Sequence, residues 1–233
     1  SKKIKLKFNS KYLPPFINEI KTYSTKKASF GWETGSFGNI FNLTNKYDLP
    51  LKIISFSPYA ITSSGAVSGT VWASPKSNSY TTMLKPLPVE GYTYKSTTNH
   101  SLWKKIGSNK IRNTEEIKVD FTITPNENFG FLILVSGTCQ YSESSKVPNE
   151  HLKSDDYLEF STGQSCWNET PWMKKRGFPN PESTVVVTHK EYGSSNFIGS
   201  VKYGIMKSVY ERSYYFYNDN KKIRLGNQYL SKK

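Results

Sequence analysis

The chain is short of the residues from which most enzyme sites are built. It has two cysteines and three histidines in 233 residues, and 18 acidic side chains against 32 basic ones. No run approaches ~20 consecutive apolar residues, which excludes a membrane-spanning helix. Helical spacing is scarce, and the best stretch, Leu13 to Tyr23, is interrupted by Pro14-Pro15, leaving room for a short turn at most. There is no Cys-x-x-Cys pair, no Gly-x-Ser-x-Gly elbow and no glycine-rich loop leading into a helix. A charged-then-apolar leader is also missing, and the chain opens on Ser1, which reads as a processed or trimmed end. Coiled coil, collagen and disulfide knot are excluded on composition.

Aromatic residues are plentiful instead: 16 Tyr, 13 Phe and 5 Trp, far too many for a disordered chain. The hydrophobic period is two almost everywhere. Ile117, Val119, Phe121 and Ile123 alternate with Lys118, Asp120, Thr122 and Thr124, the pattern of a half-buried strand. Phe129 to Val135 is apolar at every position but Gly130, which predicts a central strand covered on both faces. Further strands are expected over 4–8, 38–45, 51–61, 66–73, 102–111, 157–162, 184–191, 197–203, 212–217 and 222–230. The expected fold is an all-β antiparallel β-sandwich of jelly-roll type with extra terminal strands. Three long polar stretches, 74–101, 141–156 and 167–183, interrupt the pattern. The expected organisation is a basic N-terminal arm over 1–36, a sandwich over 37–204, and a basic, Tyr-rich hairpin over 205–233.

Charge is distributed unevenly. Residues 1–27 carry eight lysines against Glu19, and residues 202–233 carry eight Lys or Arg against Glu211 and Asp219, while the middle is nearly balanced. Basic ends point to an anionic partner, such as nucleic acid, an acidic polysaccharide or a charged surface; solubilising tails are the competing reading. Ile4, Leu6 and Phe8 interleaved among Lys3, Lys5 and Lys7 argue for a strand rather than a floppy tail.

Cys139 and Cys166 each end a strand candidate, and a disulfide between them is expected; two buried thiols are the alternative. Asn42, Asn99 and Asn168 open N-x-Ser/Thr sequons and are candidate glycosylation sites. Sequons beside a bridge point to a secreted address. Trp167 and Trp172, in a proline-rich loop, offer a platform for a sugar ring or a partner, or cap one end of the sandwich. Trp72 and Trp103 read as core. Asp155, Asp156 and Glu159 make a weak Ca²⁺ candidate beside the plainer reading of a solvated loop. His100, His151 and His189 show no metal or triad spacing and are expected to be solvated or packed. No cofactor and no catalytic residue is indicated.

Several short phrases, in order, resemble the jelly-roll β-sandwich modules of microbial secreted and cell-surface proteins. They are Phe41-Asn42-Leu43-Thr44-Asn45, Ile53-Ile54-Ser55-Phe56, Gly69-Thr70-Val71-Trp72 and Trp103-Lys104-Lys105-Ile106-Gly107. The series continues with Phe121 to Phe131, Tyr141-Ser142, Asp156 to Gly163 and Phe197 to Gly204. The resemblance spans about 37–204 and implies a non-catalytic adhesive or structural module, with no site residues of its own.

Together these features lead to the expectation of a non-enzymatic extracellular subunit forming a homo-oligomer or filament. Its assembly would run through terminal strands bearing Ile4, Leu6, Phe8, Tyr214, Tyr215, Phe216 and Tyr217. One alternative is a single-jelly-roll viral capsid protein whose basic arms bind nucleic acid in a virion. Another is a carbohydrate-binding module.

Overall fold

The computed structural model describes residues 5–25, 32–61, 65–87, 96–187, 193–218 and 221–231. The N-terminal part contributes β1 (Lys5–Tyr12), β2 (Phe16–Thr25), β3 (Trp32–Asn45), β4 (Leu51–Pro58), β5 (Ala60–Ile61) and β6 (Val67–Ala73). Next come β7 (Lys85–Pro86), β8 (Ser96–Asn99), β9 (Lys104–Ile111), β10 (Ile117–Ile123) and β11 (Asn128–Ser144). The remainder holds β12 (His151–Ser154), β13 (Leu158–Ser161), β14 (Gln164–Trp167), β15 (Thr184–Val187), β16 (Ser194–Phe197), β17 (Gly199–Lys207), β18 (Val209–Asn218) and β19 (Lys221–Ser231). One short helix, α1 (Thr170–Lys175), opens with Pro171 in its first turn, where a missing N–H costs nothing. The protein is all-β, as the period-two pattern predicts.

Two antiparallel sheets form the sandwich. The smaller has the order β10-β4-β17-β2; the larger runs β7-β8-β15-β14-β3-β11-β6-β9 and curls, with β5, β12, β13 and β16 attached to it. Between the layers lie Phe41 and Leu43 of β3, Phe131 and Ile133 of β11 and Val71 of β6. They meet Leu51 and Ile53 of β4, Phe121 of β10 and Tyr203 of β17. Four rings close the centre: Phe41 stacks on Phe131, Phe160 and Phe197, the last at 4.9 Å between ring centroids.

The alternate residues of the same strands build a second core inside the curl. Ile40, Leu132 and Leu134 pack there with Tyr80, Trp103, Val185 and Val187. Hence Phe129–Val135 is apolar throughout, because each parity of side chain enters a different core. Trp103 is buried and donates from Nε1 to the Thr98 hydroxyl at 3.0 Å, and Trp72 packs against the same cluster. The close approach of a 3₁₀ turn to β11 requires glycine at 130, where a Cβ would lie 2.8 Å from the Tyr80 backbone.

Residues 16–25 are an edge strand rather than a turn. The backbone of β2 pairs with β17 from Phe16↔Lys207 to Thr25↔Gly199, and Pro14-Pro15 ends the preceding strand instead of starting a helix. The expected 1–36 arm therefore divides: β2 belongs to the sandwich and β1 to a separate sheet.

Phe41→Ala removes a ring buried among Phe56, Phe131, Phe160 and Phe197 and is expected to cost about 3–5 kcal/mol. Ile20→Ala, on the exposed face of β2, is expected to stay within about 0.5 kcal/mol. Urea denaturation of the two variants checks the contrast, and equal losses would contradict the core assignment.

Candidate functional site

The two basic ends of the chain are brought together. β1 pairs antiparallel with β18 from Lys5↔Tyr217 to Tyr12↔Tyr210, and β18 pairs with β19 from Val209↔Ser231 to Asn218↔Lys221. The order β1-β18-β19 makes a three-stranded sheet of its own. Only Ser208 separates β17 from β18, and the Leu13 N–H donates to the Val209 carbonyl at 3.0 Å across the junction. The N-terminal strand is thus paired within its own chain.

Register sorts this sheet into two faces, since directly opposed residues share a side. On one face lie Lys7 and Lys11 of β1, Glu211, Ser213 and Tyr215 of β18, and Lys222, Arg224, Asn227 and Tyr229 of β19. Lys222 Nζ sits 3.8 Å over the Tyr215 ring, and Arg224 donates to Glu211 at 3.1 Å. Glu211 is the single acid on this face among the described residues. The opposite face carries Tyr12, Tyr210, Tyr214, Ile223 and Leu230, with Arg212 lying over the Tyr210 ring. Tyr12 is 72% exposed and Tyr229 64%. Of the expected assembly residues, Tyr214 and Tyr215 lie on opposite faces. Leu6 and Phe8 pair by backbone with Phe216 and Tyr214, Tyr217 pairs with Lys5, and Ile4 falls outside the described residues.

No disulfide joins Cys139 and Cys166. They lie on two strands that flank β3 from either side: Cys139 is paired to Ser36 and Cys166 to Gly38. Two strand spacings, ~9.6 Å, exceed the ~7 Å over which Cα atoms can be bridged. The thiols also belong to different cores. Burial pushes the Cys139 thiol up to about 12 and raises Cys166 as well. The expectation of a bridge is corrected, and the disulfide half of the case for a secreted address goes with it.

The remaining candidates are mostly structural. Asn42 is 2% exposed; its amide donates to Ser79 and Asn149 while its oxygen accepts the Tyr80 N–H, which leaves no room for a glycan. Asn99 Oδ1 caps a 3₁₀ turn by accepting from the Ser101 N–H, and Asn168 is half-buried. Trp167 and Trp172 meet in one small cluster with Met173, Phe178 and Val186. There Trp167 packs edge-on to Phe37 at 5.8 Å and Trp172 lies 5.6 Å from Phe178, which is a cap on the curled sheet.

Asp155 is consumed internally. Its Oδ1 accepts the N–H groups of Tyr157 and Leu158, and its Oδ2 accepts the Tyr203 hydroxyl at 2.6 Å. Asp156 is exposed, and Glu159 pairs with His151 at 3.1 Å. Among the described residues, no three Asp, Glu, His or Cys side chains gather as a metal site would require. His100 lies tilted against Trp72 with ring centroids 4.9 Å apart, and burial lowers its pKa; His189 falls outside the described residues. Two surface clefts of about 330 and 340 Å³ contain no carboxylate, histidine or cysteine in their linings.

What the sequence reading missed is pairing. The Asp155–Tyr203 bond joins residues 48 positions apart, and no local pattern marks it. The two-faced terminal sheet did leave a signal, the alternation Lys-Leu-Lys-Phe at 5–8 and Lys-Ile-Arg-Leu at 222–225.

Two outcomes are expected here. A thiol reagent such as Ellman's should react with neither cysteine in the native protein and with both in denaturant; a native mass lower by two protons would show a bridge. Burial, reinforced by Asp155, raises the Tyr203 pKa, so its stabilisation is present below the unfolded value of about 10 and is lost as pH rises beyond it. Tyr203→Phe should cost about 1.5–3 kcal/mol at neutral pH and flatten the alkaline loss, read from urea midpoints across pH.

Comparison with protein-family models, with curated proteins and with solved structures found no match.

Proposed function

We propose that this chain is a non-enzymatic structural module that self-associates through its terminal sheet. The carrying observation is that β1, β18 and β19 form a sheet apart from the sandwich whose Tyr12, Tyr210, Tyr214, Ile223 and Leu230 share one face. A sheet with one apolar face needs a covering layer, and isolated two- or three-stranded sheets are marginal without one. Exposed apolar side chains also occur on β2, in the neighbouring sheet, at Phe16, Ile17 and Ile20.

The occupant proposed is a second copy, stacked face to face about a two-fold axis. Charge placement supports this choice. Lys7, Lys11, Lys222 and Arg224 lie on the other face, so stacking directs these four charges outward into water, while Arg212 on the stacked face lies over the Tyr210 ring. An anionic membrane would favour lysines around the rim of the apolar face, the reverse arrangement. Three strands of eight to eleven residues present a face of about 30 by 14 Å. That is about 420 Å² in projection, about half the ~800 Å² per partner of a standard interface, so the dimer is expected to be a weak one.

A secreted or cell-surface address is supported by the resemblance of residues 37–204 to microbial surface modules.

Sedimentation velocity tests the proposal. The full chain should sediment as a concentration-dependent dimer or larger species, and Ile223→Lys with Tyr12→Lys should give a monomer with unchanged circular dichroism. A monomer at every concentration, or a dimer indifferent to both substitutions, would rule it out.

A further inference from the structure

The opposite face of the terminal sheet carries a separate inference. We infer that the face bearing Lys7, Lys11, Lys222 and Arg224 binds single-stranded nucleic acid, with its phosphates on the cations and a base on Tyr229. Segments more than 200 residues apart contribute these cations: two come from β1 and two from β19, on either side of β18. One acid, Glu211, answers them among the described residues, and it is held by Arg224 and Asn227.

Glu211 answers Arg224, so the four cations less this one carboxylate leave a net charge of +3 on these residues. Lys7 and Arg224 are both opposed to Tyr215, which sets them two strand spacings apart, ~9.6 Å. That is close to the Debye length at ~0.1 M salt, so the cations of this face act together on one anion. A polyanion neutralises the excess and adds counterion release on binding.

Geometry selects an extended strand. Same-face residues recur every ~6.8 Å along a β-strand, so Lys222 and Arg224 stand ~6.8 Å apart on β19 and Lys7 and Lys11 ~13.6 Å apart on β1, within the reach of one extended backbone. Tyr229 shares the face at 64% exposure; it opposes Glu211, which opposes Lys11 on its other side. An exposed ring beside a cationic track is the stacking platform of single-strand binders, where bases are splayed and sequence matters little. A duplex hides its base faces and makes no use of the ring. An acidic polysaccharide offers anionic groups without a flat π surface.

Fluorescence anisotropy with a labelled oligo-dT of about 20 nucleotides tests this on the full chain. Log affinity should fall with log salt at a slope of about −2 to −3, as expected for three or four phosphates neutralised on a single strand. Lys11→Gln and Lys222→Gln should each reduce that slope by about 0.7. Tyr229→Ala should weaken binding roughly ten-fold and leave the slope unchanged. All three positions are exposed, so folding is unaffected, and circular dichroism verifies it. The dimer-breaking pair Ile223→Lys and Tyr12→Lys changes the opposite face, so loss of assembly and loss of binding are read separately. The inference is overturned if the slope is unaltered by the lysine substitutions. Equal affinity for a duplex with Tyr229→Ala silent would also overturn it, as would tighter binding of heparin than of oligo-dT.

Discussion

The pairing of β3 with β11 is the constraint on which the rest depends. From Asn128↔Thr44 to Leu134↔Gly38 the two strands run in register, and the ladder resumes beyond a bulge as far as Ser142↔Trp32. Because side chains alternate, this one ladder feeds both hydrophobic cores: Phe41, Leu43, Phe131 and Ile133 to the sandwich, Ile40, Leu132 and Leu134 to the curl. A slip of one residue would exchange the two sets. It would also move Asn42 off the Tyr80 N–H and take Gly130 away from the only kind of contact that demands a glycine there. Register is therefore held by apolar packing on two sides and by buried polar groups at the same time.

The terminal sheet follows different physics. Its β1–β18 ladder spans the longest sequence separation among the described residues, Lys5 with Tyr217, and the entropic cost of closing such a loop grows only slowly with its length. Once β17 is seated beside β4 and β2, its continuation as β18 brings the two ends side by side. The sandwich thus acts as the clamp that makes a terminal sheet affordable. What it exposes is a two-faced surface, with Lys7, Lys11, Lys222 and Arg224 beside Tyr215 and Tyr229 on one side and Tyr12, Tyr210, Tyr214, Ile223 and Leu230 on the other.

Much of this was legible from residue order. The strand at 117–123 announces itself by strict alternation, and the double-sided burial of 129–135 by an unbroken apolar run. Trp103 in the core and the basic, strand-like ends were equally readable. The strand at 16–25 was not, because an edge strand exposed along most of its length keeps no clean alternation and Pro14-Pro15 suggests a turn. The bridge expected between Cys139 and Cys166 failed for a reason invisible locally: β3 is inserted between their strands. Likewise the Asp155 carboxylate looks available to a cation until Tyr203 is seen donating to it.

By itself the sequence determined the all-β class, the strands with period two, and the concentration of positive charge at both ends. These are local properties, set by side-chain polarity along a pleated backbone. Tertiary structure alone decided which strands are neighbours, and therefore that cations from two distant basic segments share one face with Tyr215 and Tyr229, while Tyr12, Tyr210, Tyr214, Ile223 and Leu230 share the other. That outcome depends on long-range hydrogen-bonded register, which no window of adjacent residues encodes.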